Sequence, residues 1–313
     1  LKTHERRKLK ISIGSDAAAL LGTSQENVES LILLILKQHE AAVGRHDQQV
    51  RKDSPETTVT VVQLDQGSAL CVKEFHWRGL IHAAKSWFRP SHGRRTFFNG
   101  KRLAEQGIDA ARPLALLQNT SWGLPLSEWV VMEVIPGALE LDRYLLQKRE
   151  RGFPLERKRE FVRRFGVFIG TLHRKGIYHS DLKACNILVA DVLEDDKSTE
   201  SLRSGFFQSN GKTNDLRIVP IDYDDVRFSA FVSEKQRIKN LVQLFLSTPL
   251  FITLSDRARF LRAYGGVLGL SSAERRRVGR KVLALTRGKK ILYVSPTGDV
   301  VESWTPGRSA TKE

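Results

Sequence analysis

The stretch Gly176-Ile-Tyr-His179-Ser180-Asp181-Leu-Lys183-Ala-Cys185-Asn186-Ile-Leu-Val189 constrains this chain more than any other. It sets an imidazole, a carboxylate, an ammonium and an amide side chain in one short loop between an apolar helical pattern and an apolar strand pattern. On the helical side Phe161, Phe165, Phe168, Ile169 and Leu172 recur on one face. Pro154 stands where a first helical residue is tolerated, and Gly176 closes the run. On the strand side the reading is Asn186 to Ala190, and a further strand, Leu216 to Asp222, ends on a carboxylate. A polar turn alone would account for Asp181, Lys183 and Asn186, and a cap for Asp222. Their joint placement at the ends of apolar elements argues for a site.

The rest of the chain divides by pattern. Ser24 to Ala42 reads as a packing helix with Ser24 as N-cap and Val28, Leu31, Ile32 and Ile35 on one face. Thr57 to Leu64 and Ala69 to Phe75 read as a hairpin turned at Asp65-Gln66-Gly67. The basic segment Lys85 to Arg102 leads into a helix that Gly107 stops, and Trp129 to Val134 is an apolar strand ended by Pro136-Gly137. After Ser233, a further N-cap, Ile238, Leu241, Val242 and Phe245 mark a buried helical face. The polar stretch from about Glu194 to Asn214 reads as a mobile loop. The chain is thus rich in strands before Val134 and mostly helical after it. The expected organisation is an extension with a packing helix (1–49), a first lobe (50–135) and a second lobe (136–313) with a flexible insertion at 191–215.

Lys and Arg total 51 against 35 Asp and Glu, a formal charge of 51 − 35 = +16. Such a surplus selects anionic company: nucleic acid, an acidic membrane face or a phosphorylated ligand. Cys71 and Cys185 are the only cysteines, which excludes a disulfide framework and a Cys-rich zinc cluster and fits a reducing compartment. The run Leu31 to Leu36 falls far short of the roughly 20 apolar residues that span a bilayer. The basic N-terminal stretch lacks the apolar core and small-residue cleavage site of a signal peptide. His76, His82 and His92 have no metal-ligand spacing.

The loop resembles the H-R-D-L-x-x-x-N catalytic loop of the protein-kinase-like superfamily at every polar position except Ser180, which stands where that pattern has arginine. The resemblance implies that Asp181 orients the attacking hydroxyl or accepts its proton, that Lys183 neutralises the transferring phosphoryl group, and that Asn186 and Asp222 hold Mg2+. Ala69-Leu-Cys71-Val72-Lys73 matches the V-A-I-K strand, so Lys73 would bind the ATP phosphates, and the hinge backbone at Glu133 and Ile135 would bind adenine. A lysine on a strand is ordinarily an edge residue; the order Lys73, hinge, loop, Asp222 decides otherwise. Two features depart from the pattern. No acid lies between Arg94 and Leu103, where Thr96 and Asn99 take the central places, so Lys73 has no assigned partner. No glycine-rich loop precedes the hairpin, where Ser54 and Thr57 are the expected phosphate contacts instead.

Only residues 223–233 separate Asp222 from the next helix, with no A-P-E motif, so the platform on which protein kinases hold a polypeptide is missing. A carbohydrate hydroxyl is the expected acceptor. Val72-Lys73-Glu74-Phe75, Pro113-Leu-Ala-Leu116, Met132-Glu133-Val-Ile135-Pro-Gly-Ala138, the His179 to Val189 loop and Arg237-Ile-Lys-Asn240-Leu-Val-Gln243-Leu are similar to the bacterial lipopolysaccharide kinase (Kdo/WaaP) family. That resemblance covers about Val50 to Tyr264 and implies a bilobal α+β kinase fold. It also implies ATP-dependent phosphorylation, with Mg2+, of Kdo or heptose in the lipopolysaccharide inner core. The implied protein is cytoplasmic, peripheral to the anionic inner-membrane surface, with the core glycolipid as partner and no nucleic acid. Basic clusters at Lys85 to Arg102 and Arg275 to Lys290 suit such a surface, as solvated helix faces also would. The alternatives are an atypical Ser/Thr protein kinase and a non-catalytic pseudokinase or basic binding module. Transfer to protein would mark the first, and steeply salt-dependent nucleic-acid binding without Mg·ATP affinity the second.

Overall fold

The computed structural model describes residues 8–64, 69–76, 90–121, 124–191, 216–295 and 299–302. The expected turn at Asp65-Gln66-Gly67, the first part of the Lys85 to Arg102 run, and all but the first residue of the 191–215 insertion lie outside the described residues. The chain forms two compact units, one closing at Pro136 and the other opening at Gly137.

The first unit is built on six antiparallel strands: β1 (Lys8–Ile13), β2 (Val50–Asp53), β3 (Thr57–Gln63), β4 (Ala69–Phe75), β5 (Pro113–Ser121) and β6 (Leu124–Glu133). Their order in the sheet is β1-β5-β6-β4-β3-β2. Alternation assigns the two faces. Val62, Leu70, Val72, Leu117 and Val131 pack with Val28, Ile32, Ile35 and Leu36 of α2 (Val28–Gly44), and α1 (Ala17–Leu21) adds Ala17 and Leu21. Phe75, Leu116 and Val130 on the other face meet Phe97 of α3 (His92–Glu105). The segment before residue 50 is therefore part of this unit, because β1 pairs with β5 and α2 covers the sheet. The helix expected from Ser24 begins instead with a 3-10 turn at Gln25–Asn27 before α2 proper; Ser24 takes the N-cap position, with no hydrogen bond from its side chain to the turn. Gly107, with φ of +68°, ends the turn after α3 as the sequence implies.

The second unit carries five helices among its described residues: α4 (Leu141–Arg151), α5 (Leu155–Arg174), α6 (Glu234–Ser247), α7 (Leu254–Val267) and α8 (Ser272–Thr286). Its strands are short: β7 (Leu139–Glu140), β8 (Ile177–His179), β9 (Ile187–Asp191), β10 (Leu216–Pro220), β11 (Val226–Phe228), β12 (Tyr293–Val294) and β13 (Val300–Val301). They pair as β10-β9-β7, β11-β8 and β12-β13. Helix α5 lies tightly on α7. A Cβ at Gly166 would press on the Phe260 carbonyl and one at Gly170 on Val267. Those two glycines therefore let Phe165 reach Phe260, with ring centroids 5.4 Å apart. Pro154 is the N-cap of α5 rather than its first residue. Helix α6 starts as expected at Ser233, whose side chain and that of Gln236 cap each other's amides.

Candidate active site

Loop 180–186 hangs between β8 and β9 and, with His179 at its start, is fixed by three sets of contacts. The first is the His179 ring. Its Nδ1 accepts from the Asp181 amide at 3.2 Å and its Nε2 donates to the Ile221 carbonyl at 2.8 Å. Those partners define a neutral ring bridging the start of the loop and the end of β10. The Ile221 amide in turn donates to the Asn186 carbonyl at 3.0 Å. Since Pro220 pairs with Ile187, Asn186 and Asp222 leave the β9–β10 ladder at the same end.

The second set comes from α6. Asn240 Nδ2 donates to the His179 carbonyl at 2.6 Å, and Ser247 Oγ accepts from the Ala184 amide at 2.8 Å. Between them, Gln243 Nε2 donates to the Ser180 carbonyl at 3.0 Å and to Asp181 Oδ1 at 3.3 Å, while its Oε1 accepts from the Leu182 amide at 3.3 Å. Residues 240, 243 and 247 share one helical face, so a polar line on α6 reads the loop residue by residue. Asn240 is fully buried and is itself held by His173, whose Nε2 lies 3.1 Å from Asn240 Oδ1 and whose Nδ1 lies 2.9 Å from the Tyr264 hydroxyl. Burial pushes the His173 ring down to about 4, so it is neutral. The third set joins Ser180 to Asp225, amide to carbonyl at 2.9 Å and hydroxyl to carboxylate at 2.8 Å.

The Asp181 carboxylate that results is accessible. Lys183 Nζ sits 3.0 Å from Oδ1 and 3.1 Å from Oδ2, and both side chains reach solvent, at 51% and 36% exposure. An ion pair that open is worth little to stability and is readily exchanged for another anion. Asn186 Nδ2 donates to the Asp181 carbonyl at 2.8 Å, and its Oδ1 accepts a long, weak contact from the Cys185 thiol at 3.8 Å. Asp222 has φ +58° and ψ +54°, a left-handed conformation that aspartate tolerates and that sets its side chain apart from the strand alternation. Burial pushes the neighbouring Cys185 thiol up to about 11, so it is a packed thiol rather than a nucleophile.

The other expected site residues belong to the first unit. Lys73 is buried on β4, opposite Val59 of β3 and Val130 of β6. It shares the α3 face with Phe75, whose ring centroid is 5.0 Å from Nζ. Ser54 and Thr57 form the β2–β3 turn: Ser54 N donates to Thr57 O at 3.1 Å and Thr57 N to Ser54 Oγ at 3.1 Å. Those two amides are spent within the turn. Glu133 ends β6, with its amide on the Arg112 carbonyl at 2.9 Å and its carboxylate on Arg112 Nε at 3.1 Å; Ile135 beyond it is buried. The buried Glu128 of β6 receives the Gly93 amide at 3.0 Å and Gln118 Nε2 at 2.6 Å, pinning the start of α3 to the sheet.

As a set, Asp222 and Asn186 Oδ1 offer two hard oxygen donors at neighbouring strand ends, the kind of sparse protein ligation that Mg2+ accepts when phosphates supply the remainder. Among the described residues no group of three His, Cys, Asp or Glu side chains gathers as a self-sufficient metal site.

The model of the lipopolysaccharide kinase (Kdo/WaaP) family matches residues 44–264. The chain belongs to that family. The matched span runs from the end of α2 through Lys73, the loop, Asp222 and Gln243 to Tyr264, which joins every residue discussed above in one family segment. Among curated proteins, this Kdo/WaaP member is 26% identical over 165 residues to the lipopolysaccharide core heptose(I) kinase WaaP of Pseudomonas aeruginosa. That match spans 52% of this chain and 56% of the relative, just over half of each. A solved structure of WaaP in complex with acyl carrier protein superposes with a TM-score of 0.57 at 20% identity, covering 90% of this chain and 97% of that one. The fold is accordingly the bilobal, kinase-like α+β fold.

Sequence reasoning did not assign roles to Asn240, Gln243, Ser247, Asp225 or Glu128. A signal for the first three was present. They interrupt an apolar helix at a spacing that keeps them on one side, whereas the observed apolar stripe is Ile238, Leu241 and Leu244, with Val242 and Phe245 only half-buried.

Proposed function

We propose that this protein transfers phosphate from ATP, with Mg2+, to a hydroxyl of a lipopolysaccharide inner-core sugar, Kdo or heptose. The name of the curated relative favours heptose. The observation that carries the reading is the accessible Asp181 carboxylate, fixed by the loop mounting and straddled by Lys183, with Asn186 and Asp222 leaving the adjoining strand ends.

In this reading Asp181 receives the acceptor hydroxyl and takes its proton. Lys183 exchanges its contact with Asp181 for the phosphoryl oxygens and offsets their charge. Asn186 Oδ1 and Asp222 would hold the metal, whose charge would offset that of the ATP phosphates. On the first unit, Lys73 is the expected cation for ATP phosphate. The adenine edge is read at the hinge by the Glu133 carbonyl and by Ile135, since the Glu133 amide is already taken by Arg112. At the β2–β3 turn the Thr57 hydroxyl is the expected phosphate contact, with Ser54, whose hydroxyl donates to the Thr57 carbonyl at 2.9 Å, shaping the turn. A sugar acceptor rather than a protein is supported by the segment after Asp222. Residues 226–228 pair with β8, and Ser229 is bound to the Gly176 carbonyl at 3.0 Å, so this short stretch is consumed by structure.

The test is mass spectrometry of lipopolysaccharide from cells with and without the gene. One phosphate fewer per core in its absence, restored by the wild-type gene and not by Asp181→Ala, is the expected result. An unchanged core mass refutes it.

A second partner is favoured by one feature. The second unit holds an apolar cavity of about 240 Å³ lined by Leu145, Phe165, Leu241, Phe260, Val282 and Leu283, chemistry suited to a fatty acyl chain. Together with the solved WaaP complex, this supports an acyl carrier protein as a partner. Purification without that protein in the eluate, and no binding of purified acylated carrier, would remove the proposal.

A further inference from the structure

Resting on the proposed transfer, we infer that Gln243 is a positioning residue that orients the Asp181 carboxylate, through its Oδ1, for acceptance of the hydroxyl proton. The side-chain amide of Gln243 has two donors and one oxygen acceptor, and all are used. Nε2 donates to Ser180 O and Asp181 Oδ1; Oε1 accepts from the Leu182 amide and from Asn240 Nδ2 at 3.0 Å. This pattern admits one orientation. Turned over, the amide would face Oε1 against a carbonyl and a carboxylate, and Nε2 against two donors.

The mounting does not yield either. Gln243 lies within α6, flanked on the same face by Asn240 and Ser247, each hydrogen-bonded to the loop. Its grip spans residues 180, 181 and 182, so the backbone on both sides of Asp181 and one carboxylate oxygen are fixed together. Lys183 also touches that carboxylate, but it is half exposed and reaches both oxygens alike, so it chooses neither. Asn186 Nδ2 stands 3.4 Å from Oδ2 and Gln243 Nε2 3.3 Å from Oδ1, each held more closely by a neighbouring carbonyl. When Lys183 turns to the phosphoryl group, these two contacts hold the carboxylate. Asn186 has a second task in the proposed mechanism as a metal ligand, which leaves Gln243 as the contact dedicated to orienting the carboxylate.

Two substitutions separate this role from space filling. Gln243→Leu removes every polar contact. Gln243→Glu keeps Oε1 for the Leu182 amide but sets a second oxygen against Asp181 Oδ1 and the Ser180 carbonyl. Both should fold, checked by thermal midpoint, and both should leave the KM for ATP within twofold of wild type. Turnover should fall by about 10²-fold, the scale of a misplaced reacting group, and at least as far in Gln243→Glu as in Gln243→Leu. Hydrogen exchange at the Leu182 amide should quicken in Gln243→Leu only. Wild-type turnover in both variants, or a loss confined to the variant in which Leu182 exchange quickens, overturns the inference. Crystal structures of wild type and Gln243→Leu decide it independently of any acceptor: a rotated Asp181 carboxylate is expected, and an unmoved one refutes the inference. Absence of transfer by the wild-type protein, by contrast, removes the proposed function alone.

Discussion

The Ser180 hydroxyl lies 2.8 Å from the Asp225 carboxylate, and the Ser180 amide donates to the Asp225 carbonyl at 2.9 Å. In the kinase pattern that the loop resembles, an arginine at this position senses a phosphorylated segment. Here an uncharged hydroxyl closes the contact without any modification. Phosphatase treatment of the purified protein should therefore leave its transfer rate unchanged. Ser180→Ala, measured by urea denaturation, should lose about 1 kcal/mol, because the amide contact survives and the half-exposed Asp225 carboxylate can be rewetted. A rate that collapses on dephosphorylation would contradict the built-in contact.

Gly176 has φ of +73°, and a Cβ there would be driven into the Ser229 carbonyl oxygen. Gly288 has φ of +71° but open space around it. Substitution by alanine isolates the close approach from the backbone conformation. Gly288→Ala should cost only the left-handed term, about 1–2 kcal/mol, whereas Gly176→Ala should cost clearly more and displace the segment after β11. Equal losses in thermal unfolding of the two variants would show that the approach of Gly176 to Ser229 relaxes freely.

The buried His173 ring links stability to pH. Its folded value of about 4 lies below the usual 6.5 because burial penalises the charged form. Between those values the unfolded chain binds a proton that the folded one refuses. Stability is thus whole above about pH 6.5 and falls as the pH drops toward 4, by on the order of 3 kcal/mol from this group. Denaturation curves at pH 7 and pH 4.5 should show the loss, and His173→Gln should flatten it. The same pH dependence in that variant would assign the effect elsewhere.

Helix α3 presents Arg94, Phe98 and Arg102 at successive turns, all exposed, with Phe98 at 51%. No acidic residue occurs between Arg94 and Leu103. If this face meets anionic lipid, as the proposed glycolipid acceptor requires of some surface, Arg94→Glu with Arg102→Glu should weaken sedimentation with phosphatidylglycerol vesicles at least tenfold, at about 1 kcal/mol per basic residue. Neutral vesicles should bind neither protein. Equal binding of both proteins to the acidic vesicles would exclude this face.

What could be read in the residues, and what could not, follows their physics. The strand that carries Lys73 was legible from its β-branched hairpin pattern, and the loop that carries Asp181 because it interrupts two apolar elements. The strand at Lys8–Ile13 was not, since a six-residue stretch with three polar side chains gains its structure from β5, far along the chain. Glu128 was not, because a carboxylate within an apolar strand declares no partner until the start of α3 is brought against it. Gln243 was visible only as a polar break in a helical stripe. Its meaning depended on the loop that it faces.

The polar line on α6 has a consequence for selectivity. Under the proposed function, a loop already held by these contacts loses little conformational freedom when a sugar arrives, so capture of the acceptor carries a small ordering cost. Discrimination between one core sugar and another then falls to surfaces the acceptor meets beyond residues 179–186.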